Sequence, residues 1–340
     1  MSRYRAPWPG AVAVSGGGDS VALMHLLRDW AKKARVDPPV VVTVDHGLQP
    51  GSSTNARKVL RWARALDLKA HLLAWNGSKP KSNIEAEARQ ARYRLMGDWC
   101  RKHGVATLYV GHTRDDLAET FLLRLARGSG LDGLAAMRTV AAYPIPGFEE
   151  LGLVRPLIEF ERSALRNHLK ARAQEWIEDP MNSDPRFSRV RIREAMVSLE
   201  AAGLTPVRIA HAASHLSRAR EALDVVTAAV LKRACRSEGD AVLVEASALL
   251  SAPREVGLRA LAQLLKGVSG QAYRPRFERL EGLFDALAED ALGAGRTLHG
   301  CRIAPAPSSL AYFGSDTLMI APEKARKAGK SCGTSRRPAN

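Results

Sequence analysis

The sequence predicts an α/β fold, a doubly wound parallel sheet followed by a smaller helix-rich C-terminal domain. In the first half, short apolar runs alternate with amphipathic segments, which is typical of parallel sheets with right-handed crossovers. Residues 40–44 form a nearly continuous β-branched run, as expected for a strand that is covered on both faces. The chain has 340 residues, enough for two domains with cores of their own.

The elements of the first domain follow from local patterns. A helix from about Asp19 places Leu23, Leu26, Leu27 and Trp30 on one stripe. Gly104 suits the position after a helix end, and residues 143–152, with two prolines and two glycines, are predicted to form a loop. Strands are predicted at residues 11–14, 40–44, 69–74 and 107–110, and further helices at residues 53–66, 82–103, 115–127, 162–173 and 189–202.

The pattern breaks near residues 203–206, where we place the domain boundary, so that the domains are residues 1–205 and 206–322. In the second domain, helices are predicted at residues 207–235, 253–265 and 275–288, and strands at residues 242–245, 297–303 and 318–320. From Glu323 the chain is polar and basic, and residues 323–340 are predicted to form a flexible tail.

The charge of the chain favours a polyanionic partner. The formal net charge is +16, while the hydrophobic fraction of 46% excludes wholesale disorder. Residues 51–100 carry a local charge of +6 and the last forty residues +5, whereas residues 101–150 are neutral. The basic patches therefore flank a charge-balanced block, which contains most of the candidate chemistry.

Cysteine spacing and the N-terminal sequence exclude several classes of protein. Cys100, Cys235, Cys301 and Cys332 form no CxxC pair, so zinc ribbons, iron–sulfur clusters and thioredoxin-like chemistry have no support. The N-terminus lacks the apolar region of a signal peptide, and no apolar run approaches the roughly 20 residues of a spanning helix. We expect a cytoplasmic protein with reduced thiols, without a membrane partner.

The strongest motif follows the first strand and opens the first helix. Its glycines let backbone N–H groups face an anion, and the helix N-terminus adds its positive end. It has neither the Gly-Lys-Ser/Thr of a Walker A loop nor the spacing of the dinucleotide fingerprint. A glycine-rich turn with a helix cap is the alternative, but the position after a buried strand favours a phosphate site. The motif, called here the glycine loop, is Ser15, Gly16, Gly17, Gly18, Asp19 and Ser20.

A second group of polar residues follows the fourth strand. Since ligands of open parallel sheets bind beyond the carboxyl ends of strands, Ser15, Asp45 and His112 should lie at one edge. Asp115 and Glu119 are four residues apart and share a helix face. Carboxylates there could hold Mg²⁺ or an ammonium group, although Thr113 and Asp116 also form a capping box. His112 could serve as an acid or base or contact phosphate.

Basic side chains beyond this group are candidates for nucleic-acid contacts. Arg124 and Arg127, with neighbouring glycines, suggest a mobile basic loop. Four cations in eight residues, Arg186, Arg189, Arg191 and Arg193, offer phosphate contacts that position a nucleic acid but carry no sequence information.

Two sets of segments carry a family resemblance. The Ser-Gly-Gly-x-Asp-Ser pattern of the glycine loop resembles the pyrophosphate loop of the N-type ATP pyrophosphatases, the PP-loop superfamily. Several segments are together similar to the bacterial tRNA(Ile)-lysidine synthases. They include residues 44–48, 87–93, 111–120, 124, 127–131, 155–157, 179, 182–184 and 191–193 and, more weakly, 295–301.

The resemblance implies a reaction and roles for residues. ATP would adenylate the wobble cytidine of a tRNA(Ile) with a CAU anticodon, releasing pyrophosphate, and L-lysine would then displace AMP to give lysidine. The glycine loop would bind ATP, Asp19 and Asp115 would hold Mg²⁺, and Arg92 would reach the α-phosphate. Lysine would be held by Asp115, Asp116 and Glu119. The tRNA would be bound by the second domain and by the basic residues Arg124, Arg127, Arg189, Arg191 and Arg193. The catalytic set is then Asp19, Arg92, His112, Asp115, Asp116 and Glu119.

Two alternatives remain at this point. A tRNA thiolase of the same superfamily would share the glycine loop, but such enzymes usually need paired cysteines. A nucleic-acid-binding protein with a vestigial ATP site would keep the basic patches without catalysis.

Overall fold

The computed structural model describes residue 4 and residues 6–48, 51–77, 84–135, 137–178, 186, 188–271 and 273–323. The chain forms two compact units, an N-terminal unit of Met1–Arg220 and a C-terminal unit of Glu221–Asn340. The predicted tail lies almost wholly outside the described residues, and residues 179 and 182–184 of the family resemblance lie outside them as well. Among the described helices, none is long and apolar enough to cross a membrane.

The N-terminal unit alternates strands and helices, as predicted. Its strands are β1 (Ala11–Ala13), β2 (Val40–Asp45), β3 (Ala70–Ala74), β4 (Thr107–Val110), β5 (Val140–Ala142) and β6 (Gly152–Val154). Its helices are α1 (Gly18–Ala34), α2 (Ser52–Ala65), α3 (Ile84–Lys102), α4 (Arg114–Leu125), α5 (Leu131–Leu134), α6 (Arg162–Lys170), α7 (Ser188–Ala201) and the first part of α8 (Pro206–Ala234).

The sheet has the order β3-β2-β1-β4-β6-β5, and only the edge strand β5 is antiparallel to its neighbour. The order reverses between β1 and β4, which are neighbours although β2 and β3 lie between them in sequence. Such a reversal opens a crevice beyond the carboxyl ends of the two strands, where ligands bind in open sheets. The glycine loop follows β1 and His112 follows β4, so both lie at this crevice.

Helices cover both faces of the sheet, which confirms the doubly wound prediction. On one face, Val12 and Tyr109 pack with apolar residues of α1, α2 and α6. On the other face, Ala11 and Leu108 pack with α3. Because neighbouring strand residues point to opposite faces, both sets are buried and the strands read as continuous apolar runs.

The predicted loop at residues 143–152 joins β5 to β6 but is not a solvent-exposed excursion. Tyr143, Ile145 and Phe148 are buried in the core beside α3, and the Tyr143 hydroxyl donates to the Tyr93 carbonyl oxygen at 2.5 Å. Prolines and glycines set the turns, while the apolar residues between them anchor the segment. The three-residue strands β5 and β6 are absent from the sequence prediction.

The two units divide within α8, after the boundary predicted at residues 203–206. The break in the pattern there marks the gap between α7 and α8. The first part of α8 belongs to the N-terminal unit because Ala213 is buried against Leu117 and Ile158. The packing therefore places the division between the two compact units after residue 220.

The C-terminal unit contains helices, as predicted, and an antiparallel sheet of order β7-β8-β11-β10-β9. The run predicted as one strand at residues 297–303 is a hairpin, because His299 and Gly300 both have positive φ and turn the chain back. Its elements are the rest of α8, β7 (Cys235–Glu238), β8 (Ala241–Glu245), α9 (Ala246–Leu250), α10 (Arg254–Ser269), α11 (Phe277–Ala288), β9 (Arg296–Leu298), β10 (Cys301–Pro305) and β11 (Thr317–Pro322).

Candidate functional site

A cavity of about 700 Å³ opens at the carboxyl ends of β1, β2 and β4 in the N-terminal unit. This volume is within the range of small-molecule sites. Its lining combines the glycine loop, apolar residues of β1, β2 and α3, and charged residues of α3, α4, α6 and α7. A more open cavity of about 520 Å³ in the C-terminal unit is lined by a single ionisable residue, Asp240, and offers no comparable chemistry.

The glycine loop is held in shape by its own serines. The Ser20 hydroxyl accepts from the Ser15 backbone N–H at 3.1 Å and donates to the Gly17 carbonyl at 2.9 Å. The Ser15 and Ser20 hydroxyls lie 3.2 Å apart. Since Ser20 is buried, its observed contacts brace the loop, whereas Ser15 is exposed at the cavity. The loop ends at the N-terminus of the 17-residue helix α1, whose positive end favours an anion.

Two glycines at the site are required by geometry. Gly16 has a φ of +94°, and a Cβ there would come within 2.4 Å of the Ile177 side chain. The backbone N–H of Ile177 also donates to the Gly16 carbonyl at 2.9 Å. At the end of β4, a Cβ on Gly111 would approach the Asp19 carbonyl oxygen to 2.9 Å. The segment around Ile177 and the end of β4 therefore hold the loop from both sides.

Arg162, the first residue of α6, joins three carboxylates from two other helices. Its Nε donates to Asp19 Oδ2 at 3.1 Å, its Nη2 to Asp116 Oδ1 at 2.9 Å, and its Nη1 to Glu119 Oε1 at 3.3 Å. Its backbone N–H donates to Asp115 Oδ2 at 2.9 Å. All four predicted carboxylates thus meet around one arginine, although Asp115 does so at the start of α6 and does not line the cavity.

Glu119 has a second cationic partner. Arg193 of α7 donates from Nε to Glu119 Oε1 at 2.6 Å and from Nη2 to Oε2 at 3.2 Å. Such a two-point contact is strong and fixes the carboxylate plane. Glu119 is only 2% exposed, so these two arginines replace the water that an ionised carboxylate needs.

Burial and charge move the pKa values of two carboxyls in opposite directions. Burial raises the pKa of Asp19 above its ordinary value, and the Arg162 guanidinium offsets only part of that effect. For Asp116, burial acts in the same sense but is outweighed by Arg162 and by hydrogen bonds from Thr113, which hold its pKa below the ordinary value. The predicted capping box of Thr113 and Asp116 is present, so Asp116 both caps α4 and binds Arg162.

His112, which lines the cavity, is held by an arginine. Arg155 donates from Nε to His112 Nδ1 at 3.2 Å and from Nη1 to the Arg138 carbonyl at 2.7 Å. Burial lowers the pKa of His112 from 6.5 to about 3, and nearby arginines add to the decrease while Asp116 opposes it. The imidazole is therefore neutral near pH 7.

Three arginines, Arg89, Arg92 and Arg189, line the remaining wall of the cavity. Arg92 and Arg89 of α3 lie over the Tyr93 ring at 5.7 and 5.0 Å from its centroid, and Arg189 of α7 lines the same cavity. Burial lowers the pKa of Arg92, and the positive charges of Arg89 and Arg189 lower it further. Among the described residues, no carboxylate pairs with any of the three, so the positive charge of this wall suits an anion.

The structure brings most, but not all, predicted site residues together. Arg92, His112, Asp116, Glu119, Arg189 and Arg193 lie within or beside the cavity with the glycine loop. Arg124, Arg127 and Arg191 do not line it. Arg124 donates to the Gly133 carbonyl at 2.6 Å, which ties it to α5, and Arg127 and Arg191 are exposed.

Sequence reasoning missed three residues of the site. Arg162 and Arg155 lie in a segment without any motif beyond the resemblance at residues 155–157, and nothing local distinguishes them from the many other arginines. Arg89 lies within residues 87–93, one helical turn before Arg92, and its position on the same face was the signal that could have found it.

The cavity lies within the part of the chain that matches a known family. Residues 9–200 match the PP-loop domain. The fold of the chain also resembles that of the U34-tRNA thiolase of Methanococcus maripaludis, solved with its [4Fe-4S] cluster. The TM-score is 0.51 at 15% identity, over 61% of this chain and 72% of the thiolase. A likeness at this identity shows the fold alone.

Curated relatives are similar at a much higher level. The chain is 39% identical to the tRNA(Ile)-lysidine synthase of Ruegeria pomeroyi over 300 residues, covering 86% of this chain and 70% of the relative. It is 38% identical to the tRNA(Ile)-lysidine synthase of Methylobacterium nodulans over 321 residues, covering 94% of this chain and 91% of the relative. At these identities and with its PP-loop domain, the chain belongs to the tRNA(Ile)-lysidine synthase family.

Proposed function

We propose that this chain ligates L-lysine to C2 of the wobble cytidine of a tRNA(Ile) with a CAU anticodon, using ATP and releasing pyrophosphate and AMP. One observation carries the proposal. A phosphate-type loop at a helix N-terminus, a wall of arginines and a cluster with excess carboxylates line or adjoin one cavity in a chain of this family. Each feature suits one participant in the reaction.

The first step transfers adenylate. The C2 oxygen of cytidine attacks the α-phosphorus of ATP, the bond between the α-phosphorus and the bridging oxygen breaks, and pyrophosphate leaves. The glycine loop and the N-terminus of α1 bind the departing pyrophosphate, since their N–H groups and helix dipole favour an anion. Arg92 and Arg89 stabilise the negative charge at the reacting phosphate from the opposite wall.

Mg²⁺ fits the site through Asp19. Asp19 Oδ1 is buried and has no hydrogen-bond partner in the part of the chain that the structure describes, while Oδ2 binds Arg162. Mg²⁺ with a nucleotide is usually bound by one or two carboxylates together with the substrate phosphates, so one free carboxylate oxygen beside the glycine loop suffices. Among the described residues, no larger group of His, Cys, Asp and Glu could hold a metal ion without substrate. When bound, Mg²⁺ would neutralise phosphate charge.

The second step consumes lysine. The ε-amine attacks C2 of the adenylated cytidine, the bond from C2 to oxygen breaks, AMP leaves and the amine loses a proton. The carboxyl groups of Asp19, Asp115, Asp116 and Glu119 meet the side chains of two arginines, Arg162 and Arg193, so acidic groups outnumber basic groups in this cluster. This excess of carboxyl groups suits cations, and we assign the cluster to lysine and Mg²⁺.

The tRNA reaches this cavity along basic residues. The phosphates of the anticodon arm would be contacted by Arg189, which lines the cavity, and by Arg124, Arg127, Arg191 and Arg193. The C-terminal unit would contact the rest of the tRNA. Backbone phosphates supply much of the binding free energy and little of the specificity. The anticodon base itself would be read in the cavity.

No observation favours the thiolase alternative. Cys100, the cysteine of the PP-loop domain, is fully buried in the core beside α3, where burial raises its thiol pKa to about 12. A thiol there does not line the cavity and is unreactive.

A labelling experiment tests the proposal. The protein is incubated with ATP, Mg²⁺, radiolabelled lysine and a CAU-anticodon tRNA(Ile) transcript, and acid-precipitable label is counted. We expect stoichiometric incorporation that requires ATP, with none in a transcript whose wobble cytidine is replaced by uridine. Absence of label with folded protein would contradict ligation, and binding of the tRNA without pyrophosphate release would favour the vestigial ATP site.

A matched pair of variants links the activity to the cavity. Asp19→Asn removes the carboxylate beside the glycine loop and should abolish incorporation. Asp67→Asn changes an exposed residue in the turn after α2, and Asn tolerates its positive φ of 59°. Incorporation should therefore be unchanged in the second variant. Equal activity of the two variants would remove Asp19 from the site.

A further inference from the structure

Arg155 is buried beside the cavity without a carboxylate partner among its observed contacts. It is 7% exposed, and its hydrogen bonds go to the Arg138 carbonyl and to the His112 ring. A guanidinium has only donors, so an arginine that approaches an imidazole nitrogen at 3.2 Å requires a lone pair on that nitrogen. The contact therefore specifies which of the two ring nitrogens carries the proton.

Since Nδ1 of His112 accepts from Arg155, the proton of the neutral ring is on Nε2. His112 lines the cavity, and no described residue accepts a hydrogen bond from Nε2. The neighbouring residue Gly111 lies against the Asp19 backbone, and His112 and the glycine loop line the same cavity. An N–H donor is thus held beside the site proposed for the phosphates of ATP.

We propose that Arg155 is a positioning residue that holds His112 as the neutral tautomer protonated on Nε2, and that this N–H donates to a phosphate oxygen of the bound nucleotide. The proposal rests on the proposed function in taking ATP as the ligand of the cavity. In this role His112 neither gives up nor takes up a proton in the reaction. The sequence left two roles open for His112, an acid or base and a phosphate contact. Here His112 has the second role, the phosphate contact.

The charges around His112 support a ring that stays neutral. Arg155 follows β6, Arg89 lies on α3 and Arg189 on α7, and each disfavours a positive imidazole, while Asp116 on α4 favours one. Burial is the largest influence, and together they lower the pKa of His112 to about 3. The ring should therefore not titrate between about pH 5.5 and 8.5, where the pKa of an ordinary histidine lies.

Nitrogen NMR of the intact protein labelled with ¹⁵N-histidine tests the tautomer directly. The His112 signals are identified as those missing from His112→Gln. We expect shifts of an unprotonated Nδ1 and a protonated Nε2, constant from pH 5.5 to 8.5, and a change of the Nε2 shift on addition of ATP with Mg²⁺ alone. A proton on Nδ1, or titration of the wild-type ring near pH 6.5, overturns the proposal.

Variants of Arg155 separate positioning from general stability. Arg155→Met removes the donor but keeps an unbranched side chain, so the ring should populate both tautomers and the ATP Kd should rise about 10- to 100-fold, the effect of one hydrogen bond to a charged group. Arg155→Lys keeps a donor and should restore the Nε2 tautomer and part of the affinity. If both variants fold and retain the wild-type nitrogen shifts, Arg155 does not set the tautomer.

Substitutions of His112 test the donor itself. The glutamine amide nitrogen can occupy the place of Nε2, and the asparagine amide that of Nδ1. ATP should therefore bind more tightly to His112→Gln than to His112→Asn, and equal losses overturn the donor role. The nitrogen shifts and the ATP Kd values can be measured without lysine or tRNA. They therefore test the role of Arg155 and His112 even if the protein forms no lysidine. If the protein forms lysidine but His112 titrates, this inference is refuted and the proposed function is not.

Discussion

Replacing Arg162 by methionine should destabilise the N-terminal unit much more than an ordinary surface substitution. The change keeps an unbranched side chain but removes the cation that joins Asp19, Asp116 and Glu119. Removing one partner of a buried ion pair costs about 3–5 kcal/mol because the other charge stays buried. The Arg162 side chain is 19% exposed, and Glu119 keeps its ion pair with Arg193 in the variant. We therefore expect a destabilisation at the lower end of this range, about 3 kcal/mol.

Urea unfolding followed by tryptophan fluorescence measures this loss of stability in the N-terminal unit. All six tryptophans of the chain precede residue 221, so the signal reports only the N-terminal unit. Arg166→Met is the matched control, one turn further along α6. Its ion pair with Glu178 at 3.3 Å is 44% and 63% exposed, and such pairs contribute about 0–1 kcal/mol.

The loss of stability in Arg162→Met should also depend on pH, and the pKa values of the carboxyl groups determine whether it grows or shrinks as pH falls. Arg162 holds the pKa of Asp116 below its ordinary value, which stabilises the fold above about pH 4 and ceases to do so as pH falls through the lowered pKa. Without Arg162, burial raises the pKa of the same carboxyl, so the variant recovers stability by taking up protons. The difference between variant and wild type should shrink from pH 7.5 to pH 5.0. A loss below 1 kcal/mol, or one that does not shrink, would refute the reasoning.

Three further predictions follow from the site. Gly16→Ala should raise the ATP Kd more than tenfold because the new Cβ would meet the Ile177 side chain. The control Gly104→Ala, also at positive φ but in open space, should cost only about 1–2 kcal/mol of stability. Calorimetry that finds the same ATP Kd for both variants would contradict the loop geometry. Glu119→Gln should raise the lysine KM about tenfold or more with a smaller change in the ATP KM, since it removes a charge from the lysine site; unchanged steady-state constants would exclude Glu119. Binding of tRNA should weaken steeply with salt while ATP binding changes less, and parallel salt slopes in filter-binding assays would argue against a phosphate-dominated tRNA interface.

Local signals in the sequence accounted for most of the N-terminal unit. The β-branched run before Asp45, the glycines after β1 and the capping box at Thr113 each act over a few residues, and each appears where it was predicted. The same signals located the glycine loop and His112 at the edge of a parallel sheet. They do not mark where the two compact units divide within α8, because whether a helix belongs to one unit or another depends on what packs against it.

The sequence alone thus determined strands β1 to β4 of the sheet with their helices, the phosphate-type loop and the residue types of the site, because periodicity, glycine conformation and helix capping are set by near neighbours in the chain. Only the tertiary structure decided that Arg162 joins residues 43 to 143 positions away, that Arg155 binds His112, and that Arg124 binds the Gly133 carbonyl. A long cationic side chain has many possible partners, and the order of the strands and the crossing of the helices choose among them.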